Sequence, residues 1–97
     1  MHLNSVIVEG TVVTKPRSTE DETFTAFVLS VERTDNSGEP GSTEIRIETH
    51  GTLASKCAQI DPGQQVRVVG RLAQDREGDH MLVAEHIEVK PIKEVVV

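Results

Sequence analysis

The chain has 97 residues, 36% of them hydrophobic and 27% charged, which is enough for one domain around one core and no more. Sixteen acidic against ten basic residues leave a net charge of −6, which excludes a general attraction for polyanions and confines any site for them to a local patch. No apolar run approaches the length of a membrane span, and Met1-His2-Leu3-Asn4 has neither the basic nor the apolar region of a signal peptide, so a cytoplasmic address with no membrane partner is expected.

Asn4 to Val13 reads as the first strand, with Val6, Val8 and Val12 on one face and Ile7, Thr11 and Val13 on the other. Apolar side chains on both faces suit a strand that is covered twice or that also serves a subunit contact, for which Ile7 and Val13 are the candidates. Gly10 inside it predicts a bulge or sharp bend, as a first strand needs when it must pair with two neighbours in a small barrel. Lys15-Pro16-Arg17-Ser18 should end the pairing, and residues 18–22 read as a polar turn.

Phe24 to Arg33 is the second strand, with Phe27, Leu29 and Val31 inward and Ala26, Val28, Ser30 and Glu32 alternating with them. Residues 34–42 hold turn formers without an apolar side chain, a long loop of the kind that often carries binding. Glu44 to His50 alternates strictly, Ile45, Ile47 and Thr49 against Glu44, Arg46, Glu48 and His50, which is the period of a half-buried strand. After Gly51, Thr52 is placed to cap a helix of roughly two turns, with Leu53, Cys57 and Ile60 on one face. Asp61-Pro62-Gly63 ends that helix.

In the fourth strand Val66, Val68 and Leu72 alternate with Arg67, Val69 and Arg71. A turn at residues 75–79 leads to the fifth strand, where Met81, Val83, Ile87 and Val89 supply the apolar surface. Pro91 closes it. Ile92 and Val95-Val96-Val97 are apolar enough that they should pair or pack. Five strands with a single short helix between the third and fourth define an all-β, five-stranded Greek-key barrel of the OB type, one domain over residues 1–97.

Chemistry for catalysis is missing from this pattern: there is no nucleophile elbow, no phosphate loop and no Ser/His/Asp set at a meaningful spacing. A non-enzymatic protein without a cofactor is expected. His2, His50, His80 and His86 lack zinc-ligand spacing, and Asp75, Glu77 and Asp79 sit in a loop too short for calcium and without its terminal bidentate Glu. Cys57 is the only cysteine, so it forms no internal disulfide, and its place on the apolar helical face makes it a small buried hydrophobe.

Four segments in register carry a family resemblance. Asn4-Ser5-Val6-Ile7-Val8-Glu9-Gly10-Thr11-Val12 with Pro16, then Phe27 to Arg33, then Ile45-Arg46-Ile47 with Gly51-Thr52-Leu53-Ala54, and last Gly63 to Leu72 resemble bacterial single-stranded DNA-binding proteins. Met81 to Glu88 is also similar to the primosomal replication protein N group of the same superfamily. The resemblance implies single-stranded DNA as ligand, a homo-oligomer that is a dimer or a tetramer, and a setting in DNA replication and repair, with proteins of those processes as candidate partners. Longer members recruit enzymes through an acidic tail. This chain runs to Val97 without one, so recruitment of that kind is not expected.

Members of this family stack bases on aromatic side chains within a basic groove. Here the two usual aromatic positions of the third strand hold Glu44 and His50, and the only aromatics in the chain are Phe24 and Phe27. The remaining candidates for binding the DNA backbone are Arg33, Arg46, His50, Arg67 and Arg71, because a guanidinium can both pair with phosphate and stack on a base. Two readings stay open. Either these residues line one barrel face and bind a single strand, or they pair across strands with Glu32, Glu44 and Glu48, and the barrel is a protein-interaction module that has lost most nucleic-acid binding.

Overall fold

The alternating segments pair in the order that buries their odd or even members together. The structure, a computed structural model, describes residues 3–34, 38 and 40–91. Its elements are β1 (Val6–Val12), β2 (Arg17–Ser18), β3 (Phe24–Thr34), β4 (Pro40–His50), α1 (Thr52–Cys57), β5 (Gln65–Gln74) and β6 (His80–Val89). The sheet order is β1-β5-β6-β4-β3-β2, and a further β1–β3 pairing closes it into a barrel. Among the described strands only β4 and β6 pair in parallel. The five long strands and the helix between β4 and β5 form the OB barrel expected from the sequence.

Inside the barrel lie Val12, Phe27, Leu29, Ile47, Val66, Val68, Leu82 and Ile87, all at most 2% exposed. Each such side chain withdrawn from water contributes on the order of 1.5–3 kcal/mol before the cost of ordering it. Helix α1 plugs one end with Ala54, Cys57 and the following Ile60. Cys57 is free and buried, and burial pushes its thiol pKa up, which keeps it inert. A buried hydroxyl ties the helix to the sheet, Thr25 donating to the Ala54 carbonyl at 2.8 Å, and a second ties β4 to β3, Thr49 donating to the Thr25 carbonyl at 2.9 Å.

Gly10 sits where β1 leaves β5 and turns to β3. Its neighbour Thr11 is in register with both Gln65 and Ser30. A Cβ on Gly10 would lie 2.2 Å from the Ser30 carbonyl oxygen, so the crossing is possible only without a side chain.

Several local expectations are corrected. Arg17 and Ser18 do not end the pairing but form β2, opposite Ala26 and Thr25. The loop predicted over residues 34–42 is shorter, because β3 runs to Thr34 in register with Pro40 and β4 starts there. Asp35, Asn36, Ser37 and Glu39 lie outside the described residues, as do Ile92 and Val95–Val97 with their expected packing. Thr52 is the first helical residue rather than the cap. Gly51 occupies the cap position with φ 65, and no side chain bonds there.

Leu72 has the inward phase of β5 yet is 45% exposed. β1 pairs with β5 only as far as Gly70, so nothing covers Leu72. Asn4 instead brackets its backbone, donating to the Leu72 carbonyl at 2.9 Å and accepting from its N–H at 2.8 Å. On β6 the inward residues are Leu82 and Ala84, then Ile87, rather than Met81 and Val83 with Ile87. Val69 faces His86 while Gly70 faces Ala84, so Glu85 is an extra residue, and this bulge flips the phase.

Candidate nucleic-acid interface

The outward phase of β3 and β4 makes a ladder of facing pairs: Phe24 with His50, Ala26 with Glu48, Val28 with Arg46, Ser30 with Glu44. The alternation that buries Thr25, Phe27 and Leu29 obliges their even-numbered neighbours to face outward. A shallow groove of about 600 Å3 lies over this ladder, lined by Thr14, Lys15, Arg17, Phe24, Ala26, Phe27, Val28 and Arg46. Three of these are cations and none is an acid. At one end Phe24 meets His50 edge-on, with ring centroids 5.2 Å apart and an interplanar angle of 63°.

Arg46 reaches its neighbour Glu48 at 2.9 Å. The guanidinium is half exposed while the carboxylate is 13% exposed, so Glu48 is neutralised from above and Arg46 keeps donors for a ligand. Registers then continue a row across the barrel. Arg17 is opposite Ala26, Ala26 opposite Glu48, Glu48 opposite Val83 and Val83 opposite Arg71. The residue of β4 in this row is Glu48; Arg46, level with Val28 and Met81, stands one pleat repeat of about 7 Å to its side.

The five sequence candidates therefore divide. Arg46 and His50 stand on this outer ladder, whereas Arg71 is on the outward phase of β5, two strands further round the barrel, and does not line the groove. Arg67 lies further along β5, bonded to Glu9 and, at 3.8 Å, to Glu88. Lys90 joins the same Glu9 carboxylate at 2.9 Å. Arg33 has the phase of the buried Phe27 and Leu29, opposite to that of Arg46, and its guanidinium lies against Gly41. The expected cross-strand pairing is realised for Arg67, though with Glu9 and Glu88 rather than the carboxylates anticipated, while Arg46 pairs with Glu48 along its own strand. Phe24, Lys15 and Arg17 were not singled out from the sequence. For Phe24 the signal was present: with Phe27 and Leu29 inward, it falls on the solvent phase, where an aromatic has no core to fill.

Hydrogen bonds from Lys90 and then from Arg67 hold the Glu9 carboxyl below the ordinary carboxylate range. A depressed carboxyl stabilises the folded chain while it is ionised, so the contribution is complete at neutral pH and is lost as pH falls through the folded value. Glu9→Gln is expected to lower the urea midpoint near neutral pH and to converge with the parent chain in acid. Urea titrations from about pH 7 down to about pH 3 check this.

In the β5–β6 turn, carboxylate oxygens of Asp75, Glu77 and Asp79 lie within 4.8 Å of one another. Asp75 Oδ1 accepts from the backbone N–H of Glu77 at 2.9 Å and of Asp79 at 3.0 Å, which is the work of a turn residue. No helix among the described residues is long and apolar enough to cross a membrane.

A closed five-stranded barrel with one short helix between β4 and β5, carrying an aromatic and cationic groove on its outer face, is an OB-class barrel. The Single-strand binding protein family matches residues 3–89, and the chain belongs to that family. Among solved structures it is similar to a small single-stranded DNA-binding protein from Streptomyces coelicolor, at 21% identity and TM-score 0.76 over 93% of this chain and 95% of that one. A small single-stranded DNA-binding protein from Mycoplasma pneumoniae matches at 18% identity and TM-score 0.69, over 97% and 100% of the two chains. The protein PriB from Ralstonia solanacearum matches at 20% identity and TM-score 0.72, over 92% and 100%. Curated proteins give no significant sequence match.

Proposed function

We propose that the protein is a non-catalytic single-stranded DNA-binding protein of DNA replication and repair, acting in the cytoplasm as a homo-oligomer. The observation that carries this is the groove in which Lys15, Arg17 and Arg46 stand together with Phe24, beside the Phe24–His50 pair, a local positive patch on a chain of net charge −6. The three cations take backbone phosphates and Phe24 offers a face to a base. His50 adds a second ring and a donor. Arg67, held by Glu9 and Glu88, Arg33, on the opposite phase, and Arg71, two strands beyond β4, lie outside this groove. Ile7 at 66% and Val13 at 43% exposure supply apolar surface for a subunit contact. This reading also agrees with what the small single-stranded DNA-binding proteins above are named for.

Lys15→Ala, Arg17→Ala and Arg46→Ala combined test the groove. Three phosphate contacts on a single strand correspond to a log–log salt slope of about −2, or about a 20-fold loss of affinity between about 50 and 200 mM salt. The triple variant is expected to bind oligo-dT more weakly at low salt and to show almost no slope. An unchanged slope would place the contacts elsewhere. Loss of all binding in the parent chain, together with a specific protein partner recovered without nucleic acid, would favour the interaction-module reading.

A further inference from the structure

Of the three cations in the groove, Arg46 alone is anchored by a sheltered acid among the described residues. Lys15 lies 3.8 Å from Asp61, and both of those groups are mostly exposed. Arg46 bonds Glu48 at 2.9 Å, its guanidinium half exposed and the carboxylate largely covered. The registers set the direction of that bond. Arg46 leaves β4 level with Val28, whereas Glu48 is level with Ala26, and Ala26 is opposite Arg17 on β2. The guanidinium is therefore drawn along its own strand, from the level of Val28 toward that of Arg17. Between the two arginines stands Ala26, whose single methyl keeps the groove floor low. Arg17, Ala26 and Arg46 all line the groove, and Glu48 does not.

Resting on the single-strand reading above, we infer that Glu48 is a positioning residue: it holds the Arg46 guanidinium toward Arg17, so that the two arginines close on one backbone phosphate over Ala26. Two strand spacings of about 4.8 Å separate β2 from β4 at this level, about 10 Å in all, which admits one phosphate between two guanidiniums. A guanidinium left free in water loses rotamer freedom when it takes a ligand. One already fixed by a carboxylate has lost that freedom beforehand, so the phosphate does not have to order it. The bond to Glu48 uses part of the five-donor fork, and the remaining N–H groups stay open to the phosphate. Glu48 thus acts against its own charge. A carboxylate beside a polyanion repels it, yet removal of this one releases the arginine on which the contact depends.

Positioning and plain repulsion predict opposite signs, which makes them separable. Glu48→Ala is made in the parent chain and in an Arg46→Ala chain, and each is titrated by anisotropy with a labelled oligo-dT at about 50 and 200 mM salt, with circular dichroism to verify folding. In the parent chain the substitution is expected to weaken binding by about fivefold or more, and to make the log–log salt slope shallower by about 0.7, the part due to one phosphate contact. In the Arg46→Ala chain, where nothing is left to position, it is expected to leave the affinity unchanged or to raise it. Glu48→Gln, whose amide oxygen still accepts from a guanidinium, should recover part of the loss. A gain in both backgrounds leaves Glu48 a repulsive charge and overturns the positioning role. A loss in both makes it a structural residue and overturns the role as well. Should the Arg46→Ala chain not fold, the parent background decides: an unmoved affinity or an unmoved slope after Glu48→Ala overturns the role. If the parent chain does not bind oligo-dT, the single-strand reading falls and the positioning role with it, whereas binding by the parent with any of the contrary results removes the positioning role alone.

Discussion

Phe24→Ala is expected to weaken binding of a single-stranded oligonucleotide by about 5- to 150-fold, the equivalent of one base stack worth roughly 1–3 kcal/mol. The size follows from how little else can stack. Phe27, the other aromatic, is 2% exposed and belongs to the core, and Glu44 stands exposed on the ladder opposite Ser30. Phe24 lines the groove and meets His50 edge-on. Phe24→Trp is expected to keep or raise the affinity, whereas Phe24→Leu, which preserves apolar contact without a π face, should lose nearly as much as Phe24→Ala. Titrations of the three variants against one oligo-dT decide it. Retention of affinity by the leucine variant would mean that Phe24 packs but does not stack.

Gly10→Ala acts on the barrel rather than on the ligand. The new methyl would meet the Ser30 carbonyl oxygen at 2.2 Å and the Leu29 Cγ at 3.1 Å, and neither is the loose end of a side chain. Relief requires β1 to move off β3, which breaks the pairing that closes the barrel at Thr11 and Val12. Overpacking of this kind costs about 3 kcal/mol or more, a large share of the roughly 5–15 kcal/mol that holds a domain folded. The urea midpoint should fall by about 1 M or more with an unchanged slope. An unmoved midpoint would mean that the β1–β3 closure contributes little.

Much of this architecture was legible because a half-buried strand writes its own face into the sequence. Ile45, Ile47 and Thr49 could be placed inward without reference to any partner, and so could Phe27 and Leu29. The misreadings fall where the answer depends on another strand. The inward face of β6 changes phase at Glu85 because Val69 and Gly70 pair out of step with it, and nothing in Met81 to Val89 alone records that slip. Leu72 has the right phase for the core but lies beyond the reach of β1. The site was less legible for the same reason. Arg67 and Glu9 are 58 residues apart in sequence and become partners only through the β1–β5 register. Arg17 comes beside Arg46 only through the β2–β3 and β3–β4 pairings, the first made by the short β2 that the sequence presents as the end of a strand. Phe24 is the exception: the alternation already placed it outside.

The likeness to small single-stranded DNA-binding proteins and to PriB at about one fifth identity speaks for a shared barrel. What this chain does with the barrel rests on its own groove. The decisive measurement is a fluorescence anisotropy titration of the unmodified chain against a labelled oligo-dT of roughly 35 nucleotides and a duplex of the same length, at about 50 and 200 mM salt. Preference for the single strand, with affinity falling about 20-fold between the two salt concentrations, is the predicted result. Equal binding of duplex and single strand, or no binding of either at the lower salt, would contradict it.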